Sequence, residues 1–170
     1  MQDKKAIVLC ANMYEERELW YPYYRLQEAG LEVELVGAEE GTYTGKAGLP
    51  CKVDKQISQI NAEEVDAVII PGGFAPDSLR RNQQILNVIK KVNNNGGLIA
   101  AICHGPWLLV SADIISGKHI TCFWAIIDDV KNAGAHYEDR EVIRDGNIVT
   151  SRIPHDLPEF MKECLTVLQD

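Results

Sequence analysis

The feature that most constrains this chain is the run Leu98-Ile99-Ala100-Ala101-Ile102, which contains no polar residue. Gly96-Gly97 precedes it and Cys103-His104-Gly105-Pro106 follows it. So short an apolar run, bounded by glycines and by Gly-Pro, reads as a parallel strand covered on both faces. Parallel neighbours cannot be joined by tight turns, so such a strand implies crossover helices above and below a sheet. Pro106 suits the first turn of a helix, where its missing N–H costs nothing, and Trp107–Ala112 continues that helix. Cys103 therefore stands at a strand-to-helix turn, with Ala100, Ala101 and Gly105 small enough to let the backbone bend. Hydrolases hold a nucleophile at a turn of this kind. Unpaired N–H groups and the positive end of the helix there favour thiolate over thiol. The plainer alternative is a structural cysteine that happens to end a strand.

The alternation continues along the chain. Ala6–Ala11 reads as a central strand, followed by a helix from Glu18 to Ala29 that Gly30 closes and that starts or kinks near Pro22. Glu32–Gly37 alternates like a strand nearer an edge, and Gly41–Asp54 reads as a small hairpin excursion. Ala67–Ile70 is a second buried strand, ended by Pro71-Gly72-Gly73. The spacing of Leu79, Ile85, Leu86, Val88, Ile89 and Val92 predicts a helix over Ser78–Asn94. Trp124–Asn132 reads as a further helix. Asp145-Gly146 is a hairpin turn between Glu141–Arg144 and Ile148–Ser151. Leu157–Leu168 is an amphipathic helix with Asp156 as N-cap. The 170 residues read as one domain, residues 1–170, with a mostly parallel α/β sheet. Ligands of such sheets bind beyond the carboxyl ends of the strands. Glu15, Gly72-Gly73 and Cys103 each follow a strand, so they converge on one rim. The N–H groups of Gly72, Gly73 and His104 form a candidate oxyanion hole, each donor worth about 3 kcal/mol; the alternative for the glycines is a plain strand exit.

Composition excludes several classes of function. The chain is 46% hydrophobic and 25% charged, with a net charge of −8, which offers nothing to nucleic acid or to an anionic membrane surface. No apolar run approaches the ~20 residues that span a bilayer, and the N-terminus shows no signal peptide. The five cysteines are odd in number and lack CxxC spacing. That points to reduced thiols in a cytoplasm rather than to disulfides or zinc. No metal constellation stands out, and no cofactor is expected.

Ala101-Ile102-Cys103-His104-Gly105-Pro106 resembles the active-site motif of the ThiJ/PfpI family of intracellular cysteine peptidases and protein deglycases. Ile70-Pro71-Gly72-Gly73, Asp128-Asp129-Val130-Lys131-Asn132-Ala133-Gly134-Ala135, Thr150-Ser151-Arg152 and Asp156-Leu157-Pro158 extend the resemblance over nearly the whole chain. The resemblance implies a flavodoxin-like three-layer α/β/α sandwich and a cysteine-dependent hydrolase without cofactor. Its substrates would be peptides or groups glycated by glyoxal or methylglyoxal. It further implies Cys103 as nucleophile and His104 as base. Composition leaves the acids Glu15, Glu16 and Glu18 equal; the resemblance selects Glu15 as the one beside the cysteine. Burial would keep Glu15 protonated, so that it holds Cys103 as thiolate. In the family an acid of a neighbouring subunit orients the histidine. The matching position here is Asp77, one methylene shorter than the family's Glu. A homo-oligomer follows, a dimer or a hexameric trimer of dimers, and the aromatic group Trp20, Tyr21, Tyr23, Tyr24 exceeds what one helix face buries in its own core. His119, His136 and His155 match no functional position. The rival reading is a non-enzymatic oxidative-stress sensor or chaperone in which Cys103 is oxidised to a sulfinate held by Glu15.

Overall fold

The apolar runs become strands because each is short and shielded on both faces. The structure, a computed structural model, describes residues 3–170. Met1 and Gln2, on which the reading of the N-terminus partly rests, lie outside the described residues. β1 (Lys5–Cys10) leads to α1 (Glu16–Glu28), β2 (Glu32–Gly37), the hairpin of β3 (Thr42–Thr44) and β4 (Pro50–Lys52), and the short β5 (Lys55–Gln56). β6 (Ala67–Ile70) precedes α2 (Ala75–Leu79) and α3 (Gln83–Asn94), and β7 (Leu98–Ile102) precedes α4 (Pro106–Ser111). Then come β8 (His119–Ile120), α5 (Ile127–Asn132), β9 (His136–Tyr137), the hairpin of β10 (Val142–Asp145) and β11 (Ile148–Ser151), and α6 (Leu157–Gln169).

The main sheet has the order β10-β11-β7-β6-β1-β2-β5. Every pairing is parallel except that of β10 with β11. Ala6 aligns with Ala67 and Ala67 with Leu98, so the carboxyl ends of β1, β6 and β7 fall along one edge. α1 and α6 pack on each other and on β1, β2, β7 and β11, while α3 packs on β6 and β7. All residues of β6 and β7 are buried, which requires cover on both faces and gives the three-layer α/β/α, flavodoxin-like sandwich. Each fully buried Ile or Leu of these strands contributes about 2 kcal/mol of hydrophobic stabilisation.

Local chemistry redrew some boundaries. The helix expected over Ser78–Asn94 is two helices, because the Asn82 side chain accepts the N–H groups of Gln84 (2.9 Å) and Ile85 (3.2 Å) and caps a new helix there. The stretch Trp124–Asn132 opens with a 3-10 turn, Trp124–Ile126, before α5. Asp156 makes no side-chain cap to α6; its carboxylate is held instead by Arg152 at 2.9 and 3.2 Å. α1 begins at Glu16 and runs through Pro22, which is buried inside it.

Candidate active site

β7 delivers Cys103 to the rim in a left-handed conformation, φ +61°. An L-residue there costs about 1–2 kcal/mol, and hydrogen bonds hold it in place. Cys103 N–H donates to the Ser151 carbonyl (3.1 Å), and the Cys103 carbonyl accepts from Phe123 N–H (2.9 Å). Gly105 follows where any Cβ would collide with the carbonyls of Ile70 and Ile102. This bend lets neighbours in sequence face each other: Cys103 Sγ lies 3.3 Å from His104 Nδ1. The imidazole sits between the rings of Phe123 (4.8 Å) and Trp107 (5.2 Å). Trp107 is itself fixed by a 3.0 Å bond from its Nε1 to Asp129. Burial, with the Lys46 charge adding to it, lowers the His104 pKa, so the ring is neutral at pH 7.

The carboxyl beside the thiol belongs to Glu18. It is fully buried in the first turn of α1. Its Oε2 accepts the Gly72 N–H at 2.8 Å. Its Oε1 has no nitrogen or oxygen partner, and the remaining hydrogen-bond interaction of the carboxyl is with the Cys103 side chain. A Cβ on Gly72 would lie 2.5 Å from Glu18 Oε2 and 2.7 Å from Cys103 Cβ, so only glycine lets acid and thiol meet. Burial pushes the Glu18 carboxyl up to about 8, against the pull of the Gly72 N–H. Glu18 is therefore a protonated acid at neutral pH, able to donate to sulfur. Burial also pushes the Cys103 thiol up to about 12, and negative charge on Glu18 adds to it, while the N–H groups of Gly73 and His104 pull it down. The resting sulfur is thus a thiol rather than the expected thiolate. α4 is a helix of six residues, too short to outweigh burial.

Glu15 does not have the place expected for it. Its Oε1 accepts from Arg17 Nε at 2.7 Å and its Oε2 from Lys46 Nζ at 3.2 Å. Burial pushes this carboxyl up, but the two cations outweigh burial and hold it below the ordinary glutamate value. Glu15 is thus the ionised acid and Glu18 the protonated one. Gly73, at φ +77°, bridges to Tyr14 and turns its N–H toward Cys103. The Gly72 N–H is consumed by Glu18, which removes it from the expected oxyanion hole. Asp77 pairs with Arg81 at 2.8 Å, is well exposed and does not line the cleft. His119, His136 and His155 are exposed and also lie outside it.

The cleft over Cys103 encloses about 300 Å³. Besides the groups above, Phe74, Phe123, Ile153 and Pro154 line it. Through Arg17 and Pro154 it adjoins an apolar groove of about 640 Å³ formed by Trp20, Tyr21, Tyr24, Leu49, Leu157 and Pro158. Glu18, Lys46 and Phe123 are the site residues that sequence reasoning missed. For Glu18 a signal existed: it stands three residues after Glu15, on the same helical face. For Lys46 there was none beyond its place in a Gly45–Gly48 turn. Among the described residues no group of three His, Cys, Asp or Glu is arranged to hold a metal ion.

The profile of the DJ-1/PfpI family matches residues 4–167. A deglycase of Pyrococcus horikoshii is 44% identical over 165 residues, 97% of this chain and 99% of that protein. A Bacillus subtilis protein whose name carries the words cysteine protease is 42% identical over 167 residues, 98% of this chain and 99% of its own. A solved two-domain protein from Anabaena variabilis, with DJ-1/ThiJ/PfpI-like and ferritin-like domains, matches with a TM-score of 0.95 at 40% identity. That match covers 98% of this chain, which spans 48% of the two-domain protein.

Proposed function

This chain belongs to the DJ-1/PfpI family, and from that premise we propose a cysteine-dependent hydrolase acting on peptides or on glyoxal- or methylglyoxal-glycated groups. The observation that carries the reading is the 3.3 Å approach of Cys103 Sγ to the neutral His104 ring, backed by the buried acid Glu18. The thiol proton passes to His104 Nδ1, with the ring's other proton on Nε2. The thiolate left behind is stabilised by the N–H groups of Gly73 and His104 and by the Glu18 hydroxyl. It adds to an electrophilic carbon, the first step in attacking either substrate. In peptide cleavage the C–N bond then breaks, the imidazolium protonates the leaving amine, and water hydrolyses the thioester. Gly73 and His104 remain the donors for the oxyanion.

The test is turnover of methylglyoxal-modified N-acetylarginine and of fluorogenic peptides by wild type and Cys103→Ala. Turnover of either substrate that vanishes in the variant supports the hydrolase. No turnover of either by the wild type, with one equivalent of peroxide consumed at Cys103, refutes it in favour of an oxidation sensor.

The same reading includes a homo-oligomer, a dimer or a hexamer, supported by the apolar groove and by half-exposed Tyr21 and Tyr24. Asp77 of a neighbouring copy would then orient His104, and Asp77→Ala would lower turnover while leaving thiol alkylation intact. A monomer mass in light scattering at micromolar concentration refutes the assembly. The cytoplasm is the compartment we infer, from five cysteines that are all free thiols. No helix among the described residues is long and apolar enough to cross a membrane.

A further inference from the structure

We propose that Lys46, fixed at the mouth of the cleft by the β3–β4 hairpin, is an anion subsite that selects substrates bearing a carboxylate near the reacting carbon. This inference rests on the hydrolase reading and names the substrate class within it. The first observation is local charge. The chain carries a net charge of −8, yet the cleft holds two cations, Arg17 and Lys46, against one ionised acid, Glu15. The second acid, Glu18, keeps its proton, and His104 is neutral. Glu16 lies behind the same turn, its carboxylate accepting the Ala47 N–H and lining the adjoining groove, not the cleft. Among the cleft's own lining residues one positive charge is therefore in excess, on the wall that also carries the nucleophile. A substrate monoanion would neutralise it.

The second observation is placement. The Lys46 N–H donates to the Tyr14 carbonyl at 2.9 Å and the Ala47 N–H to a Glu16 carboxylate oxygen at 2.6 Å. Tyr14 Oη in turn donates to the Leu49 carbonyl at 2.6 Å. The hairpin tip is thereby tied on both sides of Lys46 to the loop that opens α1, so the ammonium is presented to the cleft rather than left to wander. Its ammonium spends one of three N–H donors on Glu15, at 3.2 Å, which leaves two for an incoming anion. Its charge also reaches the chemistry: it lowers the pKa values of Glu18, Cys103 and His104. A partly exposed lysine in such a pair adds little to folding stability.

The experiment compares alkylation of Cys103 by anionic iodoacetate and by neutral iodoacetamide, read by peptide mass, in wild type, Lys46→Met and Lys46→Arg. The ratio of the two rates cancels any change in the thiol itself. In wild type the ratio exceeds that of a free cysteine. Lys46→Met lowers it about fivefold, the scale of one unit charge at cleft range, and Lys46→Arg keeps it within about twofold of wild type. In parallel, the kcat/KM ratio for methylglyoxal-modified N-acetylcysteine, whose carboxylate stands near the adduct carbon, over the corresponding amide falls in Lys46→Met. An unchanged iodoacetate preference in Lys46→Met, or a preference lost instead in Arg17→Met, overturns the proposal. If wild type turns over neither these adducts nor methylglyoxal-modified N-acetylarginine nor fluorogenic peptides, the hydrolase reading fails, while the alkylation ratio still decides the subsite on its own.

Discussion

Replacing Glu18 by Gln should make the protein more stable at neutral pH, by an amount that depends on pH in a defined way. In the folded chain burial moves this carboxyl from the ordinary 4.5 to about 8. Between those two values the folded state holds a proton that the unfolded state has released. Stability therefore falls as pH rises through this window, by about 1.4 kcal/mol per pH unit. At pH 7 the accumulated loss is about 3 kcal/mol relative to pH 4.5. Gln has nothing to ionise and its amide oxygen still accepts the Gly72 N–H, but one amide hydrogen would lack a partner, at about 1 kcal/mol. The net expectation for Glu18→Gln is a gain of about 2 kcal/mol at pH 7 that shrinks and reverses below pH 5. Urea unfolding of both proteins at fixed concentration, from pH 5 to pH 7.5, measures the difference. Parallel stability curves would show that Glu18 is ionised in the folded protein and would remove the acid from behind Cys103. A steepening difference, accompanied by slower turnover, identifies Glu18 as an acid kept at the expense of stability, as strained or buried groups at functional sites often are.

Three further outcomes follow from the same geometry. Gly72→Ala places a Cβ 2.7 Å from Cys103 Cβ and should lower stability by about 2 kcal/mol, seen as a drop in Tm, with slower alkylation of Cys103. Cys103→Gly should be about 1 kcal/mol more stable than Cys103→Ala, because only glycine adopts the +61° φ of the elbow without strain; equal melting temperatures would argue against a strained elbow. Burial lowers the His104 pKa, so the acid limb of kcat/KM should lie below the ordinary histidine value near ~6.5. Phe123→Ala, which uncovers one face of the ring, should move that limb upward, and a limb that stays in place would separate His104 from the rate.

What the sequence determines here is everything that depends on neighbours along the chain. A strand covered on both faces has to be apolar at every position, so Leu98–Ile102 and Ala67–Ile70 announced themselves, and with them the parallel sheet. Cys103 at a strand end before Gly-Pro was legible for the same reason. The tertiary structure alone decided which groups meet across the rim. Glu15 and Glu18 are nearly equivalent as sequence, but the direction in which α1 leaves β1 turns Glu18 onto Gly72 and leaves Glu15 to Arg17 and Lys46. No local pattern reports that Lys46, 31 positions after Glu15, folds back beside it. The protonation states were beyond the sequence as well, because the energy of a carboxyl or a thiol is set by how much water and how many N–H groups surround it in space. Glu18 and Cys103 owe theirs to burial, and burial is a property of the packed chain.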